Sequence, residues 1–137
     1  MARGTKTGAR MAKALACGML EDNGRLLFLK RIDAHNTERI ELPCILVYSG
    51  SDPLSQLKGE FARQTGIDAE ICEIAFETRH NIGSRRKKLW VPCLVFRAKT
   101  KNAKTKPSQE FSGFKWLSFR EAKKWKLGRN AEWIMRI

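Results

Sequence analysis

The chain is poor in the residues that build most metal, redox and triad sites. Its 137 residues include two histidines, one tyrosine and four cysteines. No two cysteines form a CxxC pair, so neither a zinc site nor a disulfide framework is expected. Each lies in or beside an apolar stretch, as in "ALACGML" (Cys17), "LPCIL" (Cys44), "EICEIAF" (Cys72) and "VPCLVF" (Cys93). Thiols placed this way act as small buried hydrophobes, which fits a reducing, cytoplasmic location. No apolar run nears the roughly 20 residues of a membrane span, so no membrane role is expected. "MARGTKTGARMAK" is basic, but no apolar segment of a secretory leader follows it. P-loop, GxGxxG and Ser-His-Asp patterns are missing. Acidic residues are scarce too, 14 against 27 Lys plus Arg, for a net charge of +13. Such a field attracts nucleic acid, nucleotides or acidic protein surfaces.

The rest of the composition is that of a folded domain. The chain is 42% hydrophobic, with seven Phe and four Trp, which suits one packed core at this length. Residues 1–12 read as a flexible basic arm and 13–137 as one domain. "KALACGMLED" reads as a buried strand, Asn23-Gly24 as a hairpin turn and "RLLFLKRI" as the return strand. "IELPCILVYSG" reads as one strand running into a loop. In "SDPLSQLKGEFARQTG", Ser51 or Asp52 suits the N-cap and Pro53 the first turn. Leu54, Leu57 and Phe61 make an apolar stripe, and Gly66 suits a left-handed C-terminal position. A helix over 53–65 is therefore predicted. Strands follow over "AEICEIAFETRHN", "LWVPCLVFRAK" and "FKWLSF". Helices are predicted from "REAKKWKL" and over "NAEWIMRI". Strand runs with segregated helices indicate an α/β or α+β layered domain.

"ELPCILVYSGSDPLSQLKGEFARQTGI", residues 41–67, resembles the Nudix box, in which ELPGG, an acidic loop and REUxEExGU follow one another (U aliphatic). It aligns without a gap. "LEDNGRLLFLKR" resembles the first hairpin of that family, and "QEFSGFKWLSFREA" its late acidic residue, Trp strand and helix. The resemblance covers the chain from about Lys13 onward. It implies a Nudix fold, a mixed β-sheet sandwiched between helices, and a MutT-like hydrolase ancestry.

It also implies a chemistry. Such enzymes cleave a diphosphate using Mg²⁺ held by glutamates of the box helix, because Mg²⁺ prefers hard carboxylate oxygens. Here Glu60 and the closing Gly66 and Ile67 keep the pattern. Ser51 and Gly59 replace the first glutamate and the arginine, Cys44 and Ile45 replace two glycines, and Arg63 and Gln64 replace the paired glutamates. Residues 60, 63 and 64 share one helix face. That face offers one carboxylate, one guanidinium and one amide. Glu60 is the one box residue left to touch a metal, and Glu110 stands where the family carries a further acidic residue. The two would be catalytic if the site is active. No tightly bound cofactor is expected, and Mg²⁺ only in that case. Glu60 can also pair with Arg63 three residues on.

Arg63, Gln64, Tyr48 and His80 are candidates for contact with a phosphate or nucleotide. Arg85, Arg86, Lys87 and Lys88, and on the other side of the same apolar strand Lys101 and Lys104, are candidates for nucleic acid. Phosphate contacts give affinity with little sequence specificity. Of the four tryptophans, Trp125 in "KKWK" is the one expected to be most exposed. Three functions stay open. The chain can bind a nucleotide, RNA or a ribonucleoprotein with its metal site lost. It can be a Mg²⁺-dependent pyrophosphohydrolase of a nucleoside triphosphate or dinucleotide with a weak or relocated site, drawing on Asp52 or Gln64. It can be a basic module that docks on an acidic protein.

Overall fold

A computed structural model describes residues 11–137. The predicted basic arm falls mostly on residues 1–10, outside the described residues, and Ala12 already stands in the first strand. The strands are β1 (Ala12–Asp22), β2 (Arg25–Ile32), β3 (Glu38–Glu41), β4 (Cys44–Tyr48), β5 (Glu70–Asn81), β6 (Trp90–Lys99) and β7 (Gly113–Leu117). The helices are α1 (Pro53–Thr65), a single turn α2 (Phe119–Ala122) and a 3₁₀ helix over Arg129–Arg136.

The seven strands form one mixed sheet in the order β3-β2-β1-β6-β5, with β4 also on β1 and β7 also on β2. β1 is the long central strand. It pairs antiparallel with β4 (Cys17 opposite Cys44), parallel with β6 (Leu15 beside Cys93) and antiparallel with β2 across the Asn23-Gly24 turn. Asn23 and Gly24 both have positive φ, 54° and 77°, as the predicted two-residue turn requires.

Alternation along β1 builds two cores. Leu15, Cys17 and Met19 join Phe28, Val95, Trp133 and Ile134 on the face covered by α2 and the 3₁₀ helix. Ala14, Ala16 and Leu20 face the other way, where Leu57 and Phe61 of α1 are wholly buried. A strand buried on both faces reads as a continuous apolar run, which is why "ALACGML" shows no period of two. Gly18 lets α1 approach: a Cβ there would lie 2.6 Å from the Phe61 ring. Phe28, Phe76, Phe119 and Trp133 meet edge to face at 5.8–6.4 Å, a geometry that matches positive ring edges to negative ring faces.

Four sequence expectations change. "IELPCILVYSG" is two strands, because Leu42-Pro43 interrupts the ladder and the Pro43 carbonyl accepts from the Gly18 amide at 2.9 Å. "NAEWIMRI" winds as a 3₁₀ helix, and "REAKKWKL" yields one turn closed by a capping box between Ser118 and Glu121. Trp125 packs partly buried against the core, and the more open tryptophan is Trp90, at 38% exposure.

Candidate functional site

The box segment folds as its punctuation dictates. Pro53 takes the first turn, Asp52 is the N-cap, and Gly66 ends the helix at φ 74°. The Asp52 carboxylate does not cap the backbone. It accepts from the Ser55 hydroxyl at 2.8 Å, the main cause of its lowered pKa. A Cβ at Gly66 would meet the Lys106 carbonyl at 2.9 Å. So the helix end presses on the loop that carries Glu110, and Lys106 and Ser108 donate their amides to the carbonyls of Thr65 and Gln64. Chain segments more than forty residues apart are thereby locked into one site.

Within it, carboxylates and guanidiniums alternate. Arg63 donates Nε to Glu60 Oε1 at 2.7 Å and Nη2 to Glu60 Oε2 at 3.0 Å. Its Nη1 donates to Glu110 Oε1 at 2.6 Å. The other Glu110 oxygen lies 3.9 Å from Nη1 of Arg31, and Arg31 reaches Glu41 with Nη2 at 3.3 Å. The run is Glu41, Arg31, Glu110, Arg63, Glu60. Arg63 holds the pKa values of Glu60 and Glu110 below the carboxylate norm, and the two in turn raise its own. Gln64, 5% exposed, donates Nε2 to Glu60 at 2.8 Å and to the Cys44 carbonyl at 2.9 Å. Its Oε1 has no partner among the described residues. A reversed amide would set that oxygen against two acceptors, so the hydrogen bonds fix its orientation.

A divalent cation of the kind the resemblance implies does not fit this donor set. Both oxygens of Glu60 and one of Glu110 already accept from a guanidinium that bridges them. Among the described residues no group of three or more His, Cys, Asp or Glu is placed to hold a metal ion. Like charges 4 Å apart repel by about 4 kcal/mol at an effective dielectric constant near 20, and a dication doubles this. Solvent at half-exposed Arg63 lowers the figure without changing its sign.

The remaining candidates are spread over the fold. Tyr48, half-buried, ends β4 beside the box loop. His80 is 4% exposed in β5, and burial, then Arg129, lowers its pKa. Arg85–Lys88 form the exposed tip of the β5–β6 hairpin. Lys101 and Lys104 are exposed beyond the far end of β6. Nine steps along that strand, at about 3.3 Å each, put roughly 30 Å between the clusters. Arg31 and Glu41 escaped sequence reading because their partners lie on other segments, although Glu41 opens the "ELPC" motif. Arg79 and Arg136, which flank Trp90, and Arg129, which donates to the Asn81 carbonyl, escaped for the same reason. The ladder pairing of Asn81 with Trp90 is the signal that could have found Arg79.

A mixed sheet layered between helices, with a strand, loop and helix carrying carboxylates against a late acidic residue, is the architecture of Nudix domains. The chain belongs to that family: the family model for the NUDIX domain matches residues 9–137. Among solved structures it is similar to the MutT protein from Methanosarcina mazei Go1, at 22% identity and TM-score 0.68 over 90% of both chains. It is similar to the dihydroneopterin triphosphate pyrophosphohydrolase of E. coli, at 15% identity and TM-score 0.65 over 91% of this chain and 94% of that one. It also resembles the NUDIX domain of Shewanella oneidensis NrtR complexed with ADP ribose, at 14% identity and TM-score 0.61 over 97% and 90%. At these identities the likeness is one of fold. No curated protein matches in sequence.

Proposed function

We propose that this Nudix-family chain binds the phosphates of a nucleotide or of RNA, free or within a ribonucleoprotein, without efficient hydrolysis. The observation that carries this reading is the Arg63 guanidinium bridging Glu60 and Glu110. In the arrangement that the resemblance implies, Glu60 would help hold Mg²⁺, which would activate water, and Glu110 would reach the same site. Here the side chain supplies the positive charge itself, as a fixed and planar group that stays protonated at any working pH. An internal cation balances the carboxylates, but it brings no coordinated water to act as nucleophile. Binding without turnover is the expected consequence.

The ligand class rests on charge. Twenty-seven Lys and Arg face 14 acidic residues, and the box site already uses three of those acids. The exposed cluster at Arg85–Lys88 is left to meet phosphate, and Lys101 and Lys104 add to the general positive field. The four free cysteines suit a reducing compartment, and a cytoplasmic site of action belongs to this reading. Among the described residues no helix is long and apolar enough to cross a membrane.

The test compares wild type in EDTA and in Mg²⁺, with ADP ribose and a nucleoside triphosphate as probes. Binding should be the same in both buffers, and phosphate-containing products should form no faster than in a protein-free control. Mg²⁺-dependent turnover at enzyme-like rates, abolished by Glu60→Gln, would establish the pyrophosphohydrolase reading instead.

A further inference from the structure

Unpaired positive charge gathers beside the β5–β6 hairpin. The 3₁₀ helix lies along the β5–β6 hairpin and leaves a cleft of about 280 Å³, lined by Arg85, Lys88, Trp90 and Arg136 over the buried His80 and Trp133. A second hollow of about 310 Å³ adjoins it, sharing Asn81, Arg85 and Glu132 and reaching Arg129. None of Arg79, Arg85, Lys88, Arg129 and Arg136 has an ion-pair partner among the described residues. Arg129 donates to the carbonyls of Asn81 and Gly83, and Arg136 to that of Arg79. Both keep most of their five N–H donors.

Trp90 adds the second feature. It is 38% exposed at the mouth of the cleft. The Arg79 guanidinium lies 4.3 Å from its ring centroid, and that of Arg136 lies 5.3 Å away. An open aromatic ring among unpaired guanidiniums has the two elements that single strands require: a surface for a base and charge for the backbone. The hairpin tip holds its shape. The Asn81 side-chain oxygen accepts from the amides of Gly83 at 2.8 Å and Leu89 at 2.9 Å, and Lys87 donates its amide to the Ser84 hydroxyl at 2.8 Å. Arg85 and Lys88 are therefore carried on an ordered turn.

We propose that this cleft binds single-stranded nucleic acid, with phosphates on Arg85, Lys88 and Arg129 and a base stacked against Trp90. The inference deepens the phosphate-binding reading by naming ligand and place, and it shares no residue with the Glu60–Arg63–Glu110 site. Arg136, the farther of the two guanidiniums, gives way to the incoming base. Phosphate alone would need no aromatic ring, and an acidic peptide would leave the ring without a stacking partner.

The test is fluorescence anisotropy of a short labelled oligouridylate over a salt series. Arg85→Ala with Lys88→Ala should weaken binding about tenfold and flatten the log–log salt slope by about 1.4, at about 0.7 for each phosphate no longer neutralised. Trp90→Ala should also weaken binding about tenfold but leave the slope unchanged, since stacking releases no counterions. Trp90→Phe should recover most of that loss. Lys101→Ala with Lys104→Ala removes the same charge at the far end of β6 and should cost less than roughly threefold through the general field. Three results would each overturn the proposal: an equal loss from the far pair, no loss from Trp90→Ala, or polyglutamate binding as tightly as the oligonucleotide. An inactive oligonucleotide assay beside metal-independent nucleotide binding would reject this site and leave the phosphate-binding reading standing.

Discussion

Two arginine-rich regions of this molecule use the same side chain in opposite ways. Beside the box helix, Arg31 and Arg63 stand between Glu41, Glu60 and Glu110, and each guanidinium touches two carboxylates. At the β5–β6 hairpin, Arg79, Arg85, Lys88 and Arg136 gather about an exposed Trp with Arg129 in the adjoining hollow, and none of the five has an ion-pair partner among the described residues, although Glu132 lines the same cleft. In the first region every guanidinium already has carboxylate partners. The second keeps its donors open. Arginine count therefore says little about where a polyanion docks. What decides is whether the fold has already given each guanidinium a counter-charge.

The largest expected effect separates the regions physically. Phe61 is fully buried, and it anchors α1 to β1. Phe61→Ala should cost about 3–5 kcal/mol in a denaturant titration. Below the melting temperature, oligonucleotide binding at the hairpin should survive, since Phe61 and the 3₁₀ helix lie on opposite faces of the sheet. Loss of both together would mean that the two regions are one unit.

Next comes reversal of charge at the first region. Arg63→Glu would set three carboxylates, at 60, 63 and 110, side by side. Stability without metal should fall by about 2 kcal/mol, or roughly 4–8 °C in Tm at this chain length. Mg²⁺ should recover part of that loss in the variant and leave the Tm of wild type unchanged. A variant insensitive to Mg²⁺ would show that geometry as well as charge keeps cations out.

The smallest effect is in pH. The folded pKa values of Glu60 and Glu110 are lowered, chiefly by Arg63. Their contribution is therefore fully present above the unfolded value near 4.3 and is lost as pH falls through that value and below. Wild type should lose stability from about pH 4.5 downward, and Arg63→Gln should lose less over the same window. Half-exposed pairs are worth at most about 1 kcal/mol each, so the difference will be modest. Parallel curves would mean that the ion pairs contribute nothing measurable.

Much of the box region was legible because its signals are local. Pro53, the spacing of Leu57 and Phe61, and Gly66 fix the helix within one stretch of chain, and the Glu60–Arg63 pairing follows from an interval of three. Glu110 was legible only through family resemblance. Its contact with Arg63 spans 47 residues, and nothing in either neighbourhood announces it. The hairpin cleft was half legible. "SRRKK" is plain in the sequence, but Arg129 and Arg136 arrive from a 3₁₀ helix whose packing is set by Trp133 and Ile134 in the core. Trp90 and Trp125 exchanged their expected exposures because neighbouring lysines say nothing about burial. Trp125 lies partly buried with Lys115 Nζ 5.6 Å from its ring centroid, whereas Trp90 sits at a strand start on the rim.

Whether the Arg63 guanidinium stands where a Nudix domain would hold its metal ion can be tested on the wild-type protein itself. The direct measurement is a titration of the wild-type protein with Mg²⁺, then Mn²⁺, following the backbone amide resonances of residues 50–67 and of Glu110. No saturable shift and no site-specific broadening of these amides is expected at millimolar metal, with Arg63→Glu as the variant that gains both. Saturable, stoichiometric changes centred on Glu60 and Glu110 in the wild type would contradict that placement.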